Sequence, residues 1–132
     1  MTDITFIELI NNTNLNNCLK ISSDYYLCEY DGYKYFIIMY DKEKAGGVLN
    51  CATDIHIIIK PEFRNKHLMS TFLQTKLIQK YWPDITECTL VPEAFENRND
   101  INKKIHLVNL AGFKINNIDQ VMFYYNNIFI ND

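Results

Sequence analysis

The sequence predicts a mixed α/β (α+β) fold, in which a mostly antiparallel, twisted sheet of six to seven strands is flanked by three to four helices. Three patterns carry this prediction. Two β-rich runs are separated only by Asp31-Gly32, a strong hairpin signal because both central residues need positive φ. A strand of alternating residues, 53–60, passes through a turn at Pro61 into an amphipathic helix. A second helical pattern then stops at Gly112-Phe113.

The composition excludes several classes of function. The 132 residues are expected to form a single domain, 1–132, with enough apolar residues (48%) for a core. The net charge is −3, and Arg64 and Arg98 are the two arginines, so no basic stripe suits nucleic acid. No apolar run of about eighteen residues occurs, which predicts no membrane segment. The four cysteines lack metal-ligand spacing, which predicts no metal site and a reducing, cytoplasmic compartment.

Local patterns in the first half predict mostly strands. The apolar run Ile4–Leu9 predicts a first strand, and the Asn-rich stretch 11–17 predicts a turn that caps a short helix. Tyr25–Tyr30 and Tyr33–Tyr40 are the two strands of the predicted hairpin. Ala45-Gly46-Gly47 predicts a second turn before the strand that begins at Thr53.

The second half alternates helices and strands. Apolar residues recur at helical period through 68–82, which predicts one long helix ended by Trp82-Pro83. The remaining predicted elements are the strand Thr86–Val91, a helix from the N-cap Asn99 to Gly112 with an apolar stripe at Ile101, Ile105 and Val108, and the strands Phe113–Ile118 and Gln120–Ile130.

Two sequence blocks carry a family resemblance. The turn after the strand begins Pro61-Glu62-Phe63-Arg64, and the last helix stops at Gly112-Phe113. This order resembles the GNAT superfamily of acyl-CoA-dependent N-acetyltransferases, and within it small phage-encoded GNAT-like proteins. The family has Arg/Gln-x-x-Gly-x-Gly/Ala at this turn, where helix N–H groups hold the coenzyme A pyrophosphate. Arg64 matches that pattern, whereas His67 and Met69 stand at its two small positions.

The resemblance implies acetyl-CoA as the cofactor and a set of residues that bind it. The main chain of Ile59 and Lys60 would face the pantetheine arm and the thioester. The residues of the turn and the start of the helix would bind the phosphates: Arg64, Asn65, Lys66, His67, Leu68 and Met69. Because glycine lets backbone approach a phosphate closely, histidine and methionine predict an altered, shallow or closed phosphate site.

Catalysis by this family requires a base that takes a proton from the acceptor amine. His56 is the first candidate, because its ordinary pKa of about 6.5 suits the task, and Glu62 is the second. The competing interpretation makes His56 a partly exposed strand residue among polar neighbours and Glu62 a solvated turn residue. Family members often have a tyrosine four residues before Gly-Phe as the general acid. Val108 stands there and has no proton to donate.

Two functional hypotheses follow from the resemblance. The first is an N-acetyltransferase that moves an acetyl group from acetyl-CoA to a small-molecule or peptide amine by direct attack, in the cytoplasm of a bacterium or phage-infected host. The second is a non-catalytic GNAT-fold structural or interaction protein, such as a phage virion or assembly component. A homodimer or virion proteins would then be its partners, and the location would be the virion.

Overall fold

The computed structural model describes residues 2–85, 87–89, 113–117 and 122–125. Within them lie eight strands, three α-helices and two 3-10 turns. In chain order the elements are α1 Asp3–Asn12, the 3-10 turn Leu15–Asn17, β1 Leu19–Lys20, β2 Tyr25–Tyr30, β3 Tyr33–Tyr40, β4 Glu43–Cys51, β5 Asp54–Ile59, the 3-10 turn Pro61–Phe63, α2 Leu68–Gln74, α3 Leu77–Tyr81, β6 Glu87–Thr89, β7 Phe113–Asn117 and β8 Met122–Tyr125.

The chain divides into two compact units, and β5 contributes to both. The first unit contains Met1–Asn50 and Ile57–Met69, and the second contains Cys51–His56 and Ser70–Asp132. Among the strand pairs whose register the structure describes, five are antiparallel and one, β5 with β6, is parallel. The predicted fold class, a mixed and mostly antiparallel sheet with helices, is therefore confirmed.

The first unit is built on β1 to β4, with the end of β5 beside β4. The predicted hairpin is confirmed: β2 and β3 pair from Tyr25↔Ile38 to Tyr30↔Tyr33. Asp31 (φ 51°) and Gly32 (φ 81°) both adopt the positive φ that the turn requires. The core against one face of this sheet consists of Phe6, Ile10, Cys28, Tyr35, Ile37, Met39, Leu49 and Ile58.

The N-terminal strand prediction is wrong. Residues Asp3–Asn12 form α1, whose first turn is capped by the Thr2 hydroxyl accepting from the Thr5 N–H at 3.2 Å. Phe6 and Ile10 are fully buried while Ile4 is 71% exposed. Burial four residues apart is helical spacing, which a short apolar run does not distinguish from a strand.

The predicted turn at Ala45-Gly46-Gly47 is also wrong, because these residues lie inside β4. The chain reverses instead at Asp41 (φ 49°) and Lys42 (φ 66°). A bulge shifts the β3–β4 register between Ile38 and Met39. A Cβ on Gly46 would lie 2.9 Å from the Ile59 Cα and closer still to the Ile58 carbonyl oxygen. Glycine is present here because two backbones approach closely.

The second unit contains the first half of β5, β6, β8 and β7, in that order across its sheet. The predicted helix 68–82 is divided into α2 and α3 by Lys76, which is left-handed (φ 62°, ψ 21°). The predicted stop is confirmed, since α3 ends at Tyr81, before Trp82-Pro83. The described core of this unit consists of Ile55, Phe72, Leu73, Ile78, Trp82, Ile85 and Cys88.

Several predictions fall wholly or partly outside the described residues. The helix 99–112, with Asn99, Val108 and Gly112, lies outside them entirely. The last two predicted strands are confirmed where the structure describes them, as the antiparallel pair β7 and β8.

Candidate functional site

The segment between β5 and α2 forms a tight turn, residues 60–67, called the β5–α2 turn below. Pro61 opens its 3-10 segment, a position where the missing N–H of proline costs nothing. The Lys60 carbonyl accepts from the Phe63 N–H at 2.9 Å, and the Pro61 carbonyl accepts from the Arg64 N–H at 3.3 Å. These bonds fix the direction in which the chain leaves the strand.

The last part of this turn has the backbone that glycine normally supplies. Asn65 (φ 67°) and His67 (φ 59°) are both left-handed, and α2 begins directly after His67 at Leu68. A left-handed residue next to a right-handed one orients successive N–H groups toward one point, an arrangement that binds anions. Of the family's two small positions, His67 therefore has a positive φ without being glycine, whereas Met69 lies in α2.

The two larger side chains at the family's small positions go to different places. His67 is exposed, whereas Met69 is 3% exposed and lies in the core. The thioether therefore does not occupy the solvent-facing part of the turn. Leu68, between them, is half-buried at the start of α2.

Arg64 folds back onto the strand that precedes the turn. Its Nε donates to the Ile59 carbonyl at 3.1 Å, and the side chain is half-buried. This bond uses one of the five guanidinium N–H donors. The main-chain groups predicted to face the pantetheine arm also have partners, because the Lys60 N–H donates to the Ala45 carbonyl at 2.9 Å.

Lys66 lies over an aromatic ring. Its Nζ is 5.1 Å from the centroid of Tyr40, and Phe63 meets the same ring edge-on at 6.1 Å between centroids. Tyr40 is 39% exposed. This contact holds a cation beside the turn at a partly solvated position.

Lys60 points toward the end of α1. Its Nζ donates to the Asn11 side-chain oxygen, and Lys44 Nζ donates to the Asn11 carbonyl at 3.1 Å. Burial lowers the pKa of Lys60 and the charge of Lys44 lowers it further, while Glu62 and Glu43 oppose this. Two lysines thus converge on the carbonyl end of a helix, which favours cations.

The two predicted bases occupy different environments. His56 lies in β5 opposite Thr89 and is 8% exposed, so the interpretation that made it a partly exposed residue is wrong on exposure. Its neighbours along the chain, Ile55 and Ile57, are also buried. Glu62 is exposed in the first turn of the 3-10 segment. His56 belongs to the second unit and Glu62 to the first.

Sequence reasoning missed three residues that support this turn: Tyr40, Asn11 and Gly46. Tyr40 ends a strand whose tyrosines all fit β-propensity, so nothing distinguished it. Asn11 was assigned to the Asn-rich turn 11–17, whereas it lies in the last turn of α1. The glycine pair was visible in the sequence but was assigned to a turn.

The described residues contain neither a metal-ligand cluster nor a membrane-spanning helix. No group of three His, Cys, Asp or Glu side chains there is arranged to hold a metal ion. No helix in that part of the chain is long and apolar enough to cross a membrane.

Comparison with known proteins identifies similar solved structures. No family model and no curated protein matches this sequence. A chimeric spermidine N-acetyltransferase from Vibrio cholerae is similar at a TM-score of 0.51 and 17% identity, covering 98% of this chain and 94% of that chain. An aminoglycoside acetyltransferase in complex with coenzyme A and kanamycin has a TM-score of 0.47 and 13% identity, over 75% of this chain and 69% of its own. A dodecameric Vibrio cholerae spermidine N-acetyltransferase has a TM-score of 0.44 and 18% identity, with coverages of 71% and 62%. The likeness to the chimeric enzyme shows that the protein has the fold of the GNAT acetyltransferases.

Proposed function

We propose that this protein is an acetyl-CoA-dependent N-acetyltransferase that acetylates an amine by direct attack. The single observation that carries the proposal is the backbone of the β5–α2 turn, left-handed at Asn65 and His67 in a GNAT fold. A left-handed backbone costs a non-glycine residue about 1–2 kcal/mol. Left-handed residues also close the ordinary β3–β4 turn. The pair at Asn65 and His67 differs in its place, since it lies directly before α2, where helix N–H groups would meet an anionic cofactor.

The residues of this turn fit an anionic cofactor. The N–H groups from Asn65 to Leu68 would hold phosphate oxygens, and the free guanidinium N–H groups of Arg64 would add charge-assisted bonds. Lys66 would contribute positive charge from beside Tyr40. When bound, acetyl-CoA supplies the thioester that is the acetyl donor.

The remaining chemistry is the handling of one proton. An ammonium ion is not a nucleophile, so the acceptor must lose a proton before or during attack. The exposed Glu62 carboxylate would accept it through water, whereas the buried His56 imidazole would need the acceptor to reach β5. Replacing each by glutamine separates them, because only the true base lowers kcat more than it changes KM.

Thermal melting with millimolar acetyl-CoA tests whether the cofactor binds. A ligand at 100 times its Kd adds about 2.7 kcal/mol, which is a shift of several degrees for a chain of 132 residues. Arg64→Gln removes the charge but keeps an N–H that can reach the Ile59 carbonyl, so it should weaken binding about 10- to 100-fold. Lys34→Gln makes the same charge change at an exposed position of β3 and should leave the shift intact.

Release of coenzyme A thiol with a panel of amines then tests transfer. Spermidine, named in the chimeric structure, is the first acceptor to try. An unchanged cofactor shift in Arg64→Gln would refute our placement of the phosphates.

The alternative is a GNAT-fold protein that serves as a structural or interaction subunit. This alternative is favoured because both predicted phosphate-binding side chains already have partners within the chain. Arg64 bonds to the Ile59 carbonyl, and Lys66 lies over the Tyr40 ring. Exposed tyrosines Tyr30 (66%) and Tyr33 (41%) would suit a partner protein. The absence of any acetyl-CoA shift, with calorimetry also silent, would establish this alternative over the enzyme.

A further inference from the structure

Cys18 and Cys28 occupy facing positions at the edge of the first unit. The β1–β2 register pairs Leu19 with Leu27 antiparallel, so the next residue pair outward is Cys18 with Cys28. Both cysteines are present as free thiols.

The hydrogen-bond pattern shows which kind of cross-strand position this is. The Ile21 N–H donates to the Tyr25 carbonyl at 3.0 Å, so this pair is a hydrogen-bonded one. Bonded and non-bonded pairs alternate along an antiparallel ladder, which makes the pair three steps away, Cys18 with Cys28, non-bonded. In agreement, the Cys18 N–H donates to the Leu15 carbonyl at 3.1 Å instead of across the ladder.

A non-bonded pair brings its side chains close together. The two Cα atoms in such a pair are typically about 4.5 Å apart, within the range of about 4.4–6.8 Å that a disulfide spans. A disulfide also requires that the two Cβ atoms do not point apart. Residues that face each other across a ladder project from the same face of the sheet, so this requirement is satisfied as well.

The two thiols differ in access. Cys28 is 3% exposed and belongs to the core that contains Tyr35, while Cys18 is half-buried at the edge of that core. Burial raises the pKa of Cys28, a hydrogen bond with the Cys18 thiol raises it further, and Lys44 opposes both. Cys18 is the thiol that an external reagent reaches first.

We propose that Cys18 and Cys28 are a thiol pair that a low-molecular-weight disulfide, such as oxidised glutathione, converts to an intramolecular disulfide. The Cys18 thiol loses its proton and attacks one sulfur of the reagent, so a mixed disulfide forms and one glutathione leaves as a thiol. The Cys28 thiol then loses its proton and attacks the Cys18 sulfur, which releases the second glutathione. Two protein thiols are oxidised and one glutathione disulfide is reduced.

Peptide mapping of the full chain tests the proposal directly. Trypsin places the four cysteines in four separate peptides, 1–20, 21–34, 45–64 and 81–98. After incubation with oxidised glutathione and alkylation of remaining thiols, a non-reducing digest should contain 1–20 linked to 21–34. The folded, oxidised protein should also melt about 5–10 °C higher than the reduced one, because the bond lowers the conformational entropy of the unfolded chain.

Variants separate this pair from the other cysteines. Cys18→Ser should abolish the linked species, and Cys28→Ala should stop the reaction at a glutathione adduct on peptide 1–20. Cys51→Ser, at an exposed cysteine outside the pair, should leave the linkage unchanged. If folded protein yields no linked peptide while the urea-unfolded chain does, the facing geometry does not permit the bond and the proposal is wrong. Linkage of 45–64 to another peptide in place of this one would overturn it equally.

Discussion

Replacing Gly46 by alanine tests the packing that positions the β5–α2 turn. The added Cβ would lie 2.9 Å from the Ile59 Cα, against an optimal carbon–carbon separation of about 3.5–4.0 Å. The Ile58 carbonyl oxygen is nearer still. Both atoms are backbone, so no side-chain rotation relieves the clash. β4 and β5 must move apart, which stretches the hydrogen bond from the Lys60 N–H to the Ala45 carbonyl.

The expected cost is the sum of these two effects. Overpacking costs about 1–3 kcal/mol and the lost hydrogen bond about 1 kcal/mol, so we expect about 3 kcal/mol in total. That corresponds to a Tm lowered by about 10 °C and a lower urea midpoint at unchanged m-value. Gly32→Ala is the matched control, since a Cβ there meets nothing within 4 Å and costs only its left-handed strain, about 1 kcal/mol. Equal destabilisation by the two variants would refute the close-approach argument.

The remaining predictions concern single side chains around the same unit. His67→Gly should stabilise the protein by about 0.5 kcal/mol in urea titrations, because the relief of left-handed strain exceeds the conformational entropy that the unfolded chain gains. A loss of stability would show that the φ of 59° costs histidine nothing here. Tyr35→Phe should lower the free energy of unfolding by about 1 kcal/mol, since it removes the 2.6 Å hydrogen bond between the Tyr35 and Thr13 hydroxyls. Thr13→Val should cost more, because the Thr13 hydroxyl also donates to the Leu9 carbonyl. Burial lowers the pKa of Lys60 below 10.5 in the folded protein, so the unfolded chain binds more protons. The free energy of unfolding should therefore rise with pH between the folded-state and unfolded-state pKa values of Lys60, and Lys60→Gln should lack that rise. Identical pH profiles of stability for the two proteins would contradict the lowered pKa of Lys60.

Local sequence signals were reliable where backbone conformation and residue type agree. Asp31-Gly32 gave the hairpin because both residues tolerate positive φ, and β5 with its proline turn was visible as alternation followed by a breaker. Local sequence signals failed where a left-handed position is filled by a residue type that does not usually adopt positive φ. Lys42 closes the β3–β4 turn and Lys76 divides the second helix, and neither lysine differs in sequence from one in a regular element.

Tertiary contacts account for the other errors. The glycines of β4 meet the backbones of other strands, which is information that no window of residues contains. The first helix depends on burying Phe6 and Ile10 against a sheet formed later in the chain. The spacing of apolar residues identified the buried segments correctly. Whether each segment became a helix or a strand was decided by the surface that it packs against.

The sequence located the β5–α2 turn but could not determine what replacing its glycine would do. Glycine provides two separate things: freedom to adopt positive φ and the absence of a Cβ. His67 satisfies the first, at φ 59°, and its side chain is exposed. A closed anion site at this turn is expected only from the second, the added bulk of a side chain. Where a phosphate is bound by N–H groups, the backbone requirement is the stricter one, and His67 has the positive φ that glycine would otherwise supply. In the proposed acetyl-CoA complex, the side chains of Arg64 and Lys66 would then set the affinity. Each would have to exchange or share its present partner, the Ile59 carbonyl or the Tyr40 ring, with the incoming phosphate.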